Sequence, residues 1–98
     1  LDDYADDFSN WSGTATASGS GDTEILTVLD SEEGISNKVQ TGAKELVIEY
    51  DYYRTGSGTP GTIYYKTAAT EGALDAQGWT LYTSHFTSLG WVQVRVLN

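Results

Sequence analysis

Apolar and polar residues alternate along much of this chain with the period of two that belongs to half-buried strands. The pattern is plainest near the end, where Val92, Val94 and Val96 interleave with Trp91, Gln93 and Arg95. The valines demand burial, so the Trp, Gln and Arg side chains are expected to face outward. Residues 44–53 repeat the pattern, with Leu46, Ile48, Tyr50 and Tyr52 on one face and Val47, Glu49, Asp51 and Tyr53 on the other. Over 61–68, Ile63 and Tyr65 hold the core phase, while Tyr64 and Lys66 hold the outer one. Residues 24–30 are apolar in both phases (Ile25, Leu26, Val28, Leu29), which predicts a strand covered on both faces.

Taken together, the pattern predicts strands over 13–18, 24–30, 37–41, 44–53, 61–68, 80–84 and 91–97. Breaks rich in Gly and Ser separate them at 19–22, 31–34, 41–42 and 56–61, close to the spacing of a sandwich. One short helical turn is expected over 71–77, with Thr70 as its N-cap and Gly78 as its stop. The predicted fold is therefore all-β: an antiparallel β-sandwich, jelly-roll-like, of seven to eight strands in two packed sheets. Its expected core is Phe8, Ile25, Val28, Leu46, Ile48, Tyr50, Ile63, Tyr65, Leu81, Val92, Val94 and Val96, with Trp11 and Trp79 at the edges.

Length and charge narrow the picture. Ninety-eight residues make one domain, 1–98, and the opening Leu in place of Met leads us to expect a module cut from a larger protein. The chain has no cysteine, which removes disulfides and thiolate metal sites. No apolar run approaches the ~18 residues of a membrane span, so membrane insertion is not expected. All of the net charge of −9 arises in the first third: residues 1–35 carry Asp2, Asp3, Asp6, Asp7, Asp22, Glu24, Asp30, Glu32 and Glu33, with no Lys or Arg. Residues 36–98 are balanced. Nucleic-acid binding needs a basic stripe against phosphate, and none is present. An acidic chain rich in Thr, Ser, Gly and Tyr fits a protein that works outside a cell.

The outward-facing groups are the first functional lead. Should their strands share a sheet, Tyr53, Tyr64 and Trp91 would offer flat rings, and Asp51, Lys66, Gln93 and Arg95 hydrogen-bonding groups. Sugar recognition uses both, rings against the apolar C–H face of a pyranose and polar groups against its hydroxyls. Two other readings stay open: a face covered by a loop or the helical turn, and a face buried against a neighbouring subunit. The acidic N-terminal segment is the second lead. Calcium takes clustered carboxylates from loops, and Asp2, Asp3 and Asp7 are the expected ligands of any bound metal. A solvated acidic face is the commoner fate of such clusters. Catalysis finds little support: His85 is the only histidine, and Ser84 next to it projects the opposite way in an extended chain, so no enzyme is expected.

Two stretches carry a family resemblance. The opening Asp6-Asp7-Phe8-Ser9-Asn10-Trp11 resembles the first strand of jelly-roll carbohydrate-binding modules. Gly61 to Thr70, Trp79 to Thr83 and Phe86 to Val96 are similar to the closing half of discoidin-like and bacteriophage tail or receptor-binding β-sandwich modules. The strand ending Arg95-Val96-Leu97-Asn98 departs from those modules that place an acidic calcium ligand there. The resemblance implies a non-catalytic carbohydrate-binding or adhesion module, with a glycan or cell-surface polysaccharide as partner. The alternative is a structural module of a virion or surface assembly, whose aromatic face meets neighbouring subunits or domains.

Overall fold

The structure, a computed structural model, describes residues 8–20, 23–54, 56 and 61–98. Eight strands form two antiparallel sheets: β1 (Ser12–Gly13), β2 (Thr16–Ser18), β3 (Ile25–Thr27), β4 (Glu33–Ile35), β5 (Val39–Leu46), β6 (Thr62–Ala68), β7 (Thr80–Leu81) and β8 (Phe86–Leu97). The protein is all-β. Helical structure among the described residues is confined to two short 3-10 turns, Phe8–Asn10 and Gly72–Ala76.

β8 organises the large sheet. Twelve residues long, it pairs with β6 along one edge and with β4 and then β5 along the other. β4 and β5 behave as one broken strand, and Ser36 bridges the break. Its N–H donates to Val94 O at 2.8 Å, and its hydroxyl accepts from Val94 N at 2.9 Å. Burial of Ser36 is therefore tolerated because its polar atoms are paired. Further along, Thr41 is an extra residue between the pairs Gln40–Trp91 and Gly42–Gly90, a bulge that bends the sheet. Gly90 is required there: its φ is +138°, and a Cβ would lie 3.2 Å from the Ala69 carbonyl oxygen. The fully buried Ser88 hydroxyl stitches the bulge, 2.6 Å from Thr41 Oγ1 and 3.1 Å from the Gly90 N–H that it accepts.

The valine face is the core face. Val39 opposes Val92, Tyr65 opposes Val94 and Ile63 opposes Val96. Tyr65 stacks on Phe86 with centroids 3.9 Å apart, and Tyr82 meets both rings edge-on. At the other end the β2–β3 hairpin lies over β4, where Gly34 leaves it room. A Cβ on Gly34 would stand 2.8 Å from Leu26 Cδ2 and 3.2 Å from Trp11 Cε3. The 3-10 turn Gly72–Ala76 buries Leu74 completely and is tied to the start of β5 by Lys38 and Asp75, 3.0 Å apart. The Thr70 hydroxyl accepts from Ala73 N at 3.3 Å, but Glu71 and Gln77, not the expected Thr70 and Gly78, stand at the cap positions, because the turn runs one residue later at its start and one earlier at its end.

Several expectations fail, and each failure has a structural reason. The predicted strand 44–53 ends at Leu46, because its partner β8 begins at Phe86 and offers nothing beyond the Leu46–Phe86 pair. Tyr50, expected in the core, is consequently 57% exposed. Residues 24–30 form only a three-residue strand in the two-stranded sheet, so Ile25 is 58% exposed instead of covered on both faces. The predicted strand 13–18 divides between the two sheets, and part of the predicted turn 31–34 is β4. Leu81, also expected inside, is 50% exposed for a reason of register given below. The Gly-rich loop near 57–60 and the carboxylates Asp2, Asp3 and Asp7 lie outside the described residues.

Candidate functional site

The outward face of the large sheet is a grid, and the strand register defines its rows. Ala68, Trp91 and Gln40 form one row across β6, β8 and β5, and at this end the face is covered, since Ala68 is only 3% exposed. Lys66 and Gln93 form the next. Leu81, Tyr64, Arg95, Ile35 and Ser12 form a third across all of β7, β6, β8, β4 and β1. Thr62, Leu97 and Glu33 close the grid. Side chains paired directly across antiparallel strands share a face, so these groups make one surface.

Trp79 belongs to this surface too. β7 pairs Leu81 with Tyr64 and Thr80 with Tyr65. One further step back sets Trp79 opposite Lys66, and the Lys66 ammonium lies 4.5 Å from the indole centroid. The same register turns Leu81 outward beside Tyr64. One phase therefore explains two departures from expectation: Leu81 leaves the core, and Trp79 joins the outward face.

Electrostatics hold the grid together. Arg95 Nε and Nη2 both donate to Glu33 Oε2 at 2.7 Å, a charge-assisted pair with half-buried side chains. The guanidinium also lies 5.7 Å from the Tyr64 ring centroid and 5.9 Å from that of Trp79. Gln93 Nε2 donates to Ser36 O at 2.8 Å, so half of its amide holds the β4–β5 break in place. Lys66 has no carboxylate partner among the described residues. Two aromatic rings and two cations thus stand interleaved on a rigid sheet, one cation neutralised and the other not.

Five of the seven expected ligand-binding residues come together here: Tyr64, Lys66, Trp91, Gln93 and Arg95, all half-buried. Asp51 and Tyr53 do not. They lie on residues 47–54, which follow β5 without regular structure, and Tyr53 is 89% exposed. Glu32 and Glu33, from the acidic first third, make contacts within the protein. Glu32 Oε1 accepts from Leu29 N at 2.9 Å, and Glu33 holds Arg95. Among the described residues no group of three or more His, Asp or Glu is placed to hold an ion. His85 sits just before β8 and meets Glu45 at 3.0 Å on the open surface, beside Val47 in a shallow depression.

No protein-family model matches the chain significantly, and neither does any curated protein or solved structure.

Proposed function

We propose that this protein is a non-catalytic carbohydrate-binding or adhesion module, and that its ligand lies on the face carrying Trp79, Lys66, Tyr64 and Arg95. One observation carries the reading: aromatic rings and hydrogen-bonding cations are interleaved across three adjacent strands, β7, β6 and β8. A pyranose stacks its C–H face on a ring while its equatorial hydroxyls reach groups beside the ring, and this grid presents both at strand spacing. Strands fix the rings before binding, which lowers the cost of ordering the protein's side of the contact. The resemblance to jelly-roll and phage receptor-binding modules supports an extracellular or virion setting.

The test is a glycan array probed with purified protein, in calcium and in chelator. A narrow set of hits, weakened roughly tenfold or more by Trp79→Ala, is the expected result; stacking losses of that size are about 1.4 kcal/mol. Loss of binding in chelator would show that a metal takes part, and Asp2, Asp3 and Asp7 are the carboxylates to substitute next. One observation favours assembly instead: Val47, Tyr50, Tyr52 and Tyr53, interspersed with Glu49 and Asp51, are all exposed beyond β5. A blank array at high micromolar protein, with a stable oligomer by light scattering, would replace glycan binding by that reading.

A further inference from the structure

The two cations of the aromatic face differ, and the difference selects a ligand. Arg95 is matched by Glu33 through two 2.7 Å contacts, so its charge is spent within the protein. Lys66 is held 4.5 Å from the Trp79 ring centroid and faces no carboxylate among the described residues. The Lys66 side chain is half-buried, and the contact that its ammonium makes is with the ring quadrupole. Across the strand stands Gln93, whose amide nitrogen is committed to Ser36 O. That commitment turns its carbonyl oxygen into the acceptor left for a ligand hydroxyl.

We infer that the face takes a glycan bearing a single anionic group, a carboxylate or sulfate ester, which Lys66 receives while the sugar ring lies on Trp79. This rests on the glycan-binding reading above and names its ligand class. A neutral sugar leaves the ammonium uncompensated, whereas an anionic one completes a charge-assisted bond. The whole molecule limits the ligand's charge from the other side. With a net charge of −9, the protein repels a polyanion over the ~8 Å reach of electrostatics at physiological salt. One local cation on an acidic protein therefore fits one acidic sugar residue, not a run of them.

The experiment is an array of matched glycans that differ only by one sialic acid, one uronate or one sulfate, with heparin as the polyanion. Hits are then titrated calorimetrically with wild type, Lys66→Gln and Lys66→Arg. The expected result is a preference of about tenfold for the singly charged member of a pair. Lys66→Gln abolishes the preference and Lys66→Arg retains it, with both variants unfolding within a few degrees of wild type. Comparing the carboxylated and sulfated pairs tells which anion is the better fit. Equal binding to both members of every pair overturns the inference and leaves the glycan reading standing. A preference untouched by Lys66→Gln, or heparin as the tightest ligand, overturns it as well. An array with no hits at all removes the glycan reading, and this inference with it.

Discussion

A single glycine sets how closely the two sheets approach. Gly34 is buried with an unexceptional φ, so backbone freedom is not what it supplies; its missing Cβ is. Leu26 and Trp11 occupy the space, and Trp11 in turn meets Phe8 edge-on at 5.2 Å. Gly34→Val should therefore overpack the contact and cost about 1–3 kcal/mol in denaturant unfolding. Gly78→Ala, where a Cβ meets nothing within 4 Å, should stay within about 0.5 kcal/mol of wild type. Equal effects of the two substitutions would contradict the close approach of the hairpin. Residue-scale chemistry was legible where a strand is long enough to show its phase. Val92, Val94 and Val96 declare the core side of β8, and Trp91, Gln93 and Arg95 follow from them. Trp79 and Leu81 gave no such signal. β7 is only Thr80–Leu81, too short to show a phase; Leu81 and the preceding Trp79 are large and apolar, so hydrophobicity pointed inward while register with β6 turns them outward.

At the scale of elements, strand propensity and strand formation part company. Residues 47–53 contain Val, Ile and three Tyr in alternation with acids, as strong a strand pattern as any in the chain. A strand needs a partner, and β8 has ended by then. The stretch is tethered where Ile48 N donates to Tyr82 Oη at 3.1 Å. Hydrogen exchange should therefore show the Ile48 amide protected and those of residues 49–53 exchanging quickly. Tyr82→Phe should speed Ile48 exchange selectively and cost about 0.5–1.5 kcal/mol of stability. Unchanged Ile48 protection in Tyr82→Phe would show that another acceptor holds it. β4 errs in the opposite direction. Glu32-Glu33-Gly34 carries turn chemistry, yet pairing with β8 and the Glu33–Arg95 contact make residues 33–35 a strand. Neither partner is near in sequence, so local pattern could not reveal the contact. The short helical turn, by contrast, has a local signal, and it forms at Gly72–Ala76, within the expected 71–77, where Leu74 is buried and Asp75 meets Lys38.

Over the whole molecule, the all-β class and the antiparallel sheets were readable from alternation and turn spacing, because those signals repeat along the chain. The candidate site was readable in part. Its five sheet residues share an outward phase on two adjacent strands, whereas Asp51 and Tyr53 were assigned to it through a strand extension that does not form. Trp79 and Glu33 complete the site through cross-strand register, which only the folded chain supplies. Charge is also a property of the whole: the acids that give −9 are concentrated in the first third, while the candidate face carries a neutralised Arg95 and a Lys66 that meets no carboxylate among the described residues. The three indoles make the central claim directly measurable. Trp79 and Trp91 lie on the aromatic face, and Trp11 lies under the β2–β3 hairpin against Gly34. The decisive measurement is a nitrogen–proton NMR titration with the strongest glycan from the array, following the three indole N–H signals with the backbone amides. The account predicts that Trp79 moves most, that amides of residues 64–66 and 93–95 move with it, and that Trp11 stays still. Shifts confined to residues 47–54, or movement of Trp11 without Trp79, would contradict it.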